Sequence, residues 1–469
     1  MELDPLFLSR LQFAFVVSFH AIFPVFTIGL AAWIALLEFL NFRNPDPVRE
    51  KLSQFWIKIF ALVFGMGVVS GIVMAFQFGT NWSHFSYAAS NFLGPVLSYE
   101  VVTAFFLEAT FLGVLLFGRD KVPRGVHLLA AMMVAIGTFI SSFWILSANS
   151  WFQTPAGVDL VDGHFQVRSW IEAIFNPSLP YRFAHMGLAS FITGGFVVAA
   201  VSAWYLVRGR NPRTSRMALK MTVVMLAVAT PLQLLVGDLH GLNTLEHQPI
   251  KVAAMEGHWE TKQGAPLILF GWPDQEAEKN HFEIGIPYLG SLILTHSLDG
   301  EVQGLKSVPP EDRPPVAMVF WSFRIMVAVG LLFILLSWAS VVQMLRGRLF
   351  DSPRLLKLLS LCYPLPFIAV LAGWFVTEVG RQPWIVYGVM RVSEGVTPSL
   401  TGWMALATLV GYIAVYSVVF GAGVYYLRRV IQAGPDPIET QGEDRSARPK
   451  RPLSALGTDF DDALQPQRS

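Results

Sequence analysis

His20 and His185, Glu100, Glu108 and Glu378, Arg324 and Met326 stand inside, or at the ends of, long apolar stretches. Ionisable side chains in such surroundings are costly and tend to mark function. The imidazoles, the thioether and the carboxylates among them are consistent with donors to iron held in a porphyrin. Neutral imidazole binds haem iron well, a thioether is a common second axial ligand, and a carboxylate can bind a high-spin iron and leave one position open. Arg324, and Arg381 just after Glu378, are cations suited to haem propionates. Taken singly, each residue also fits a plainer role. A lone histidine can hydrogen-bond between helices, a methionine can fill a core, Glu100 and Glu108 can form a structural polar pair, and Glu378 with Arg381 can close a helix end.

The elements that must carry these side chains are membrane spans. Of the 469 residues, 53% are hydrophobic and 14% charged, against about 25% charged in a soluble domain. Crossing the hydrocarbon core takes about 20 apolar residues. Nine blocks qualify, at 14–41, 56–79, 94–118, 126–147, 184–207, 217–237, 316–345, 357–379 and 402–427. The expected fold is an all-α membrane protein with nine transmembrane helices. Residues 1–237 carry helices 1–6, 238–315 form a long connection, 316–430 carry helices 7–9, and 431–469 form a tail rich in Pro, Asp and Arg that reads as disordered. The N-terminus lacks a basic segment and a small-residue cleavage site, so the first block reads as a retained span.

Lys and Arg concentrate in the odd-numbered connections: Arg43, Arg49 and Lys51; Arg119, Lys121 and Arg124; Arg208 to Lys220; Arg346 to Lys357. These connections are therefore expected in the cytoplasm, which puts the N-terminus in the periplasm and the C-terminus in the cytoplasm. His20 then lies about 10 Å below the outer edge of helix 1. His185, Glu100, Arg324, Met326 and Glu378 also fall in the outer half, with Glu108 near the midplane. A cofactor cluster near the outer face accounts for that bias. The other histidines, His84, His127, His164, His240, His247, His258, His281 and His296, fall at helix ends or in connections and read as surface residues. The single cysteine, Cys362, allows no C-x-x-C-H attachment, so a haem here would be held by axial ligands and packing. The net charge of +1 gives no sign of a nucleic-acid partner.

Motifs along the chain then point to a family. They include Ser9-Arg10-Leu11-Gln12-Phe13 ahead of His20, Phe76 to Ser83, Glu100 with Phe105-Phe106-Leu107-Glu108, and Trp144-Ile145-Leu146 with Ala148-Asn149. Then come His185, Lys251 with Glu256, Phe323-Arg324-Ile325-Met326, and Gly373-Trp374-Phe375-Val376 running into Glu378 and Gly380-Arg381-Gln382-Pro383-Trp384. In this order the chain resembles subunit I of cytochrome bd-type quinol oxidases, from Ser9 to about Leu427. The resemblance implies a quinol:oxygen oxidoreductase in the bacterial cytoplasmic (inner) membrane. His185 and Met326 would be the axial ligands of a low-spin haem b. His20 and Glu378 would ligate two more haems, a high-spin haem b and the oxygen-reducing group, which is haem d or a third haem b; which residue serves which haem stays open. Glu100, Glu108 and Ser141 would lie on a polar route for protons, Lys251 and Glu256 would form the quinol site in the outer loop, and Trp374 would neighbour the haems. Only about 16 residues separate Lys306 from Phe323, which resembles the short-Q-loop members close to the cyanide-insensitive oxidases. Partners implied are quinol, oxygen, a second multispan subunit and, in some members, a small single-span subunit.

The expected cycle oxidises quinol at the outer face, with Glu256 accepting a proton and Lys251 positioning the head group. Electrons pass through the low-spin haem to the high-spin pair, and protons for oxygen reduction come from the cytoplasm, so charge crosses the membrane without a pump. Two other classes compete. A secondary transporter would also bury carboxylates, though broken helices at the midplane would be expected. A haem–copper oxidase would need more histidines within the spans.

Overall fold

The computed structural model describes residues 3–437; most of the tail expected to be disordered, from 438 onward, lies outside the described residues. The long helices are α1 (Pro5–Arg43), α2 (Pro47–Thr80), α3 (Ser90–Phe117), α4 (Arg124–Gln153), α5 (Leu179–Val207) and α6 (Pro212–His247). The short helix α7 (Pro249–Glu256) follows, then α8 (Val316–Leu345), α9 (Pro353–Leu361), α10 (Leu365–Val379) and α11 (Gly402–Ala433). Among the described residues eight helices are long and apolar enough to span a membrane, and there are nine spans if α9 and α10 are one. Those two are bent by 42°. Pro364 and Pro366 lie at the break, where each removes a backbone donor and disfavours a straight helix.

Local chemistry sets the helix starts. Asp4 accepts the Leu6 N–H and Asp46 the Val48 N–H, both at 2.9 Å, each ahead of a proline in the first turn. The helices outrun their apolar blocks. α4 continues to Gln153 and α6 to His247, because backbone hydrogen bonds carry on through polar residues once the apolar stretch has ended. These extra turns bring Asn149, Gln153 and His240 into the site described below.

α1 is the hub. Its Leu30, Ile34 and Leu37 pack with Trp56 and Phe60 of α2, Ala130 and Val134 of α4, and Val198 of α5. Where α1 meets α5 the backbones nearly touch. A Cβ on Gly29 would stand 2.0 Å from the Ser190 carbonyl oxygen, so only glycine permits this approach, as at other membrane helix contacts.

Among the described residues four two-stranded antiparallel sheets accompany the helices, and all lie in connections: Val158–Val161 with His164–Val167, Lys262–Gln263 with Glu301–Val302, Leu267–Asp274 with Lys279–Ile286, and Trp384–Val386 with Met390–Arg391. Open sheet edges suit segments outside lipid, where water can bond them. The 238–315 connection is folded: Val252, Ala253, Met255, Trp259 and Leu305 form a small core against Val316 and Val319 of α8 and Val376 of α10. Between Gly304 and α8 the chain makes only two short 3₁₀ turns, Leu305–Ser307 and Pro310–Asp312. The end of the bundle that carries this connection is called the loop face here, and the opposite end the basic face.

Candidate haem and quinol site

The candidate iron donors come from separate helices. On α1, the His20 Nδ1 lies 2.8 Å from Ser70 Oγ of α2, and that hydroxyl donates its proton to the Gly67 carbonyl at 2.9 Å. Ser70 must therefore accept from Nδ1–H, which leaves the His20 Nε2 lone pair for a metal, the usual arrangement for a ligating histidine. On α5, the His185 ring faces α6: Gln233 Nε2 is 3.3 Å from Nδ1 and 3.2 Å from Nε2, and the His240 ring lies 5.5 Å away. On α8, the Met326 Sδ lies against Gly373 of α10. The next residue, Trp374, and Met186 beside His185 both pack against the small cluster of Val25, Ala189 and Val370. The Gly373–Trp374 turn thus touches the helices carrying both His185 and Met326.

Each of these donors faces a glycine on a neighbouring helix. An added Cβ would come within 3.2 Å of His20 at Gly71, 3.3 Å of His185 at Gly237, and 3.0 Å of the Met326 sulfur at Gly373. The space beside the donors exists because those side chains are missing. Among the described residues no three His, Cys, Asp or Glu side chains converge on a bare metal position. Single donors on separate helices fit an iron whose equatorial ligands come from a macrocycle, so the residues present fit haem.

Glu378 lies at the loop-face end of α10. Its Oε2 pairs with Arg381 at 2.7 Å and its Oε1 accepts from Asn149 Nδ2 at 3.0 Å and Gln153 Nε2 at 3.4 Å. Arg182, 5% exposed and one turn before His185, donates to Asn149 Oδ1. Arg381 Nη1 and Arg182 Nε are buried without a hydrogen-bond partner, as donors awaiting an anionic group would be.

Glu100 and Glu108 both face α4. Glu100 Oε1 accepts from Ser141 Oγ at 2.7 Å, and the Glu108 Cγ fills the space beside Gly137. A π-turn at Val101–Phe105 separates the two. In a regular helix eight residues overshoot two turns by about 80°. The extra residue of the π-turn reduces that to about 20°, so both carboxyls share one face. Glu108 Oε1 is buried and unpaired.

Lys251 and Glu256 both lie on α7 but face different neighbours. Lys251 Nζ donates to Gln153 Oε1 at 2.5 Å. Glu256 Oε2 lies 3.7 Å from Arg324 Nη2 and has no hydrogen bond. Burial raises the Glu256 carboxyl above its ordinary value, with Arg324 opposing. Burial, reinforced by Arg182 and Arg381, holds the Lys251 amine well below its ordinary value, with Glu378 opposing. Arg324 also donates to the carbonyls of Met255 at 2.6 Å and Ile268 at 3.1 Å, and stacks on Phe320, so it fastens the connection to α8. Next to Lys251 is a cavity of about 180 Å³, lined by Lys251, Asp312, Gln382, Trp384 and Tyr387.

Some of these partners carry no signal in the sequence. Ser70, Gln233 and Gln153 are neutral, and a neutral polar residue barely disturbs an apolar run. Two histidines expected at the surface are buried. His127 (3% exposed) binds Glu38, and His258 (6% exposed) bonds the Pro266 carbonyl, because the chain folds over each.

Residues 8–435 match the family model described as cytochrome bd terminal oxidase subunit I. The chain is similar to cytochrome bd-II ubiquinol oxidase subunit 1 of Escherichia coli (strain K12), at 33% identity over 93% of this chain and 98% of that one. It is also similar to cytochrome bd ubiquinol oxidase subunit 1 of Bacillus subtilis (strain 168), at 34% identity over 92% and 95%. Among solved structures, bd oxidase from Geobacillus thermodenitrificans superposes with a TM-score of 0.87 at 32% identity, covering 92% of this chain and all of that one. These matches set the transporter and haem–copper alternatives aside. The chain belongs to the cytochrome bd terminal oxidase subunit I family, as a multi-pass protein of the bacterial respiratory membrane that takes part in quinol:oxygen oxidoreduction.

Proposed function

We propose that this chain binds three haems and a quinol at its loop face, and that the loop face is periplasmic with the C-terminal end of α11 in the cytoplasm. His185 and Met326 bind the iron of a low-spin haem b. His20 and Glu378 bind the irons of a high-spin haem b and of an oxygen-reducing haem d or third haem b. Bound, these groups supply the one-electron steps between quinol and oxygen and an iron position open to oxygen.

Quinol lies in the cavity beside Lys251, a wall shared by the 238–315 connection and the segment after α10. Lys251 donates to the head group. Glu256, raised by burial and without a hydrogen bond on Oε2, faces Arg324 outside that cavity's lining and takes up the proton that quinol oxidation releases. Arg381 and Arg182 offer their unpaired N–H groups to propionates, while Arg324 holds the connection in place. Trp374 packs beside α5, the helix that carries His185. Ser141, Glu100 and Glu108 hold and pass protons along the shared face of α3 and α4 toward the iron, and those protons come from the basic face. Net charge then crosses the membrane, each charge being worth about 2.3 kcal/mol per 100 mV. The short turns between Gly304 and α8 support the short-Q-loop type. The working complex includes a second multispan subunit and, in some members, a small single-span one.

The observation that carries this reading is the glycine opposite each of His20, His185 and Met326. The test is a reduced-minus-oxidised visible spectrum of the purified complex. His185→Ala and Met326→Leu each remove the low-spin signal; its retention in both refutes the ligand pair. Glu256→Ala impairs quinol oxidation while artificial donors still reduce the haems, and equal loss with both donors refutes the quinol role.

A further inference from the structure

Asn149 and Gln153 stand one turn apart at the end of α4, beyond the apolar run. Each is a neutral amide set between a buried cation and Glu378. Arg182 reaches Glu378 through Asn149. Lys251 reaches it through Gln153, whose Oε1 accepts from Lys251 Nζ at 2.5 Å while its Nε2 donates to Glu378 Oε1 at 3.4 Å and to the Thr377 carbonyl at 3.5 Å. Gln248 Nε2 holds the same residue from below, donating to the Gln153 backbone carbonyl at 2.7 Å and to Oε1 at 3.3 Å. The direction of the Gln153 amide is fixed, because an amine on lysine donates and a peptide carbonyl accepts. Gln153 is 2% exposed and Lys251 4%, so water does not take the place of either contact.

We propose that Gln153 is a positioning residue that holds Lys251 in the wall of the quinol cavity and joins that side chain to Glu378. The proposal rests on the reading of Lys251 as a quinol residue and Glu378 as an iron ligand. Two substitutions separate the two ends of the amide. Gln153→Met keeps the volume and loses both ends. Lys251 Nζ is then buried without its acceptor, while Asn149 and Arg381 still hold Glu378. Gln153→Glu keeps an oxygen for Lys251 but turns the other end from a donor into a second carboxylate oxygen facing Glu378.

The test uses the assembled oxidase, with KM and kcat measured for quinol and redox titrations followed at the separate haem bands. Gln153→Met is expected to raise KM for quinol by about tenfold, the loss of a buried hydrogen bond to a charged group. Gln153→Glu is expected to leave KM near the parent value but lower the midpoint of the Glu378 haem, since added negative charge favours the ferric state. The low-spin haem should titrate unchanged in both. The Gln153→Met/Lys251→Leu double variant should have the KM of Lys251→Leu alone, because one residue acts through the other. The proposal is overturned if Gln153→Met keeps the parent KM, if the double variant's effects multiply, or if all haem bands shift alike in both variants, as a merely structural lesion would make them. A Lys251→Leu single variant with unchanged KM also overturns it, and by that result places the fault in the underlying quinol assignment and not in the amide.

Discussion

Two buried ionic knots sit near opposite ends of α4, and each gathers cations around one glutamate. At the basic face Glu38 receives Ser53, Arg119 and His127, the last at 3.0 Å through Nδ1, while His127 Nε2 donates to the Leu115 carbonyl at 3.1 Å. None of the buried polar side-chain atoms of that knot lacks a partner. At the loop face Glu378 receives Arg381, Asn149 and Gln153, yet Arg381 Nη1 and Arg182 Nε are left without hydrogen bonds. A fully satisfied network locks helices together; a partly satisfied one in a native protein calls for something else to complete it. The same ingredients thus form a closed knot at one end and an incomplete one at the other.

The largest expected effect tests the closed knot. Glu38→Ala leaves Arg119 and His127 uncompensated and should cost roughly 3–5 kcal/mol of stability, measured as a lowered unfolding midpoint of the purified complex; an unmoved midpoint breaks the comparison. Next, Glu378→Gln should reduce quinol oxidase turnover by about 100-fold or more, while Glu38→Gln in protein that folds should turn over normally. Equal losses would make both knots catalytic. Glu256 sharpens the loop-face side through pH. Its carboxyl lies above the ordinary 4.5, so it loses its proton later as pH rises. The acid limb of quinol oxidation should therefore fall above that value and disappear in Glu256→Gln. Arg324→Met, which removes the group opposing the rise, should move the limb higher still, and an unmoved limb would count against Glu256 as the acceptor. The smallest effect is at His20. Ser70→Ala removes one hydrogen bond worth about 1 kcal/mol and should weaken retention of that haem by a few-fold in competition with an apo-haem acceptor, with the low-spin band unaffected.

Much of the site is legible in the sequence because charge in an apolar run is conspicuous. His20, His185, Glu100, Glu108, Met326 and Glu378 all stand out in this way, or through the motifs around them. Ser141 and Arg381 are found with them, but several other partners are not. Asn149 and Gln153 lie past the point where hydropathy ends the fourth block at 147, although the helix continues to Gln153. His240 is hidden in the same way beyond the sixth block. Gly71, Gly237 and Gly373 look like ordinary small residues of membrane helices until the opposing side chain is known. The 238–315 connection is conspicuous in the sequence for its length, but its hairpin and its small core depend on contacts with α8 and α10 that no local pattern encodes. His127 shows the converse: a histidine near a helix start reads as solvent-facing until Glu38, 89 positions away in sequence, is found against it.

The π-turn in α3 is one extra residue absorbed without a change of phase. Straightening Val101–Phe105 into ordinary α-helix with every residue kept would rotate everything toward Phe117 by about 100° relative to Glu100. Glu108 would then turn away from Gly137 of α4, while Glu100 kept its bond to Ser141. Deleting one residue from the same stretch does the opposite: seven α-helical steps leave the two carboxyls within about 20° of one face. The alignment therefore tolerates the loss of a residue there, but not the loss of the turn alone.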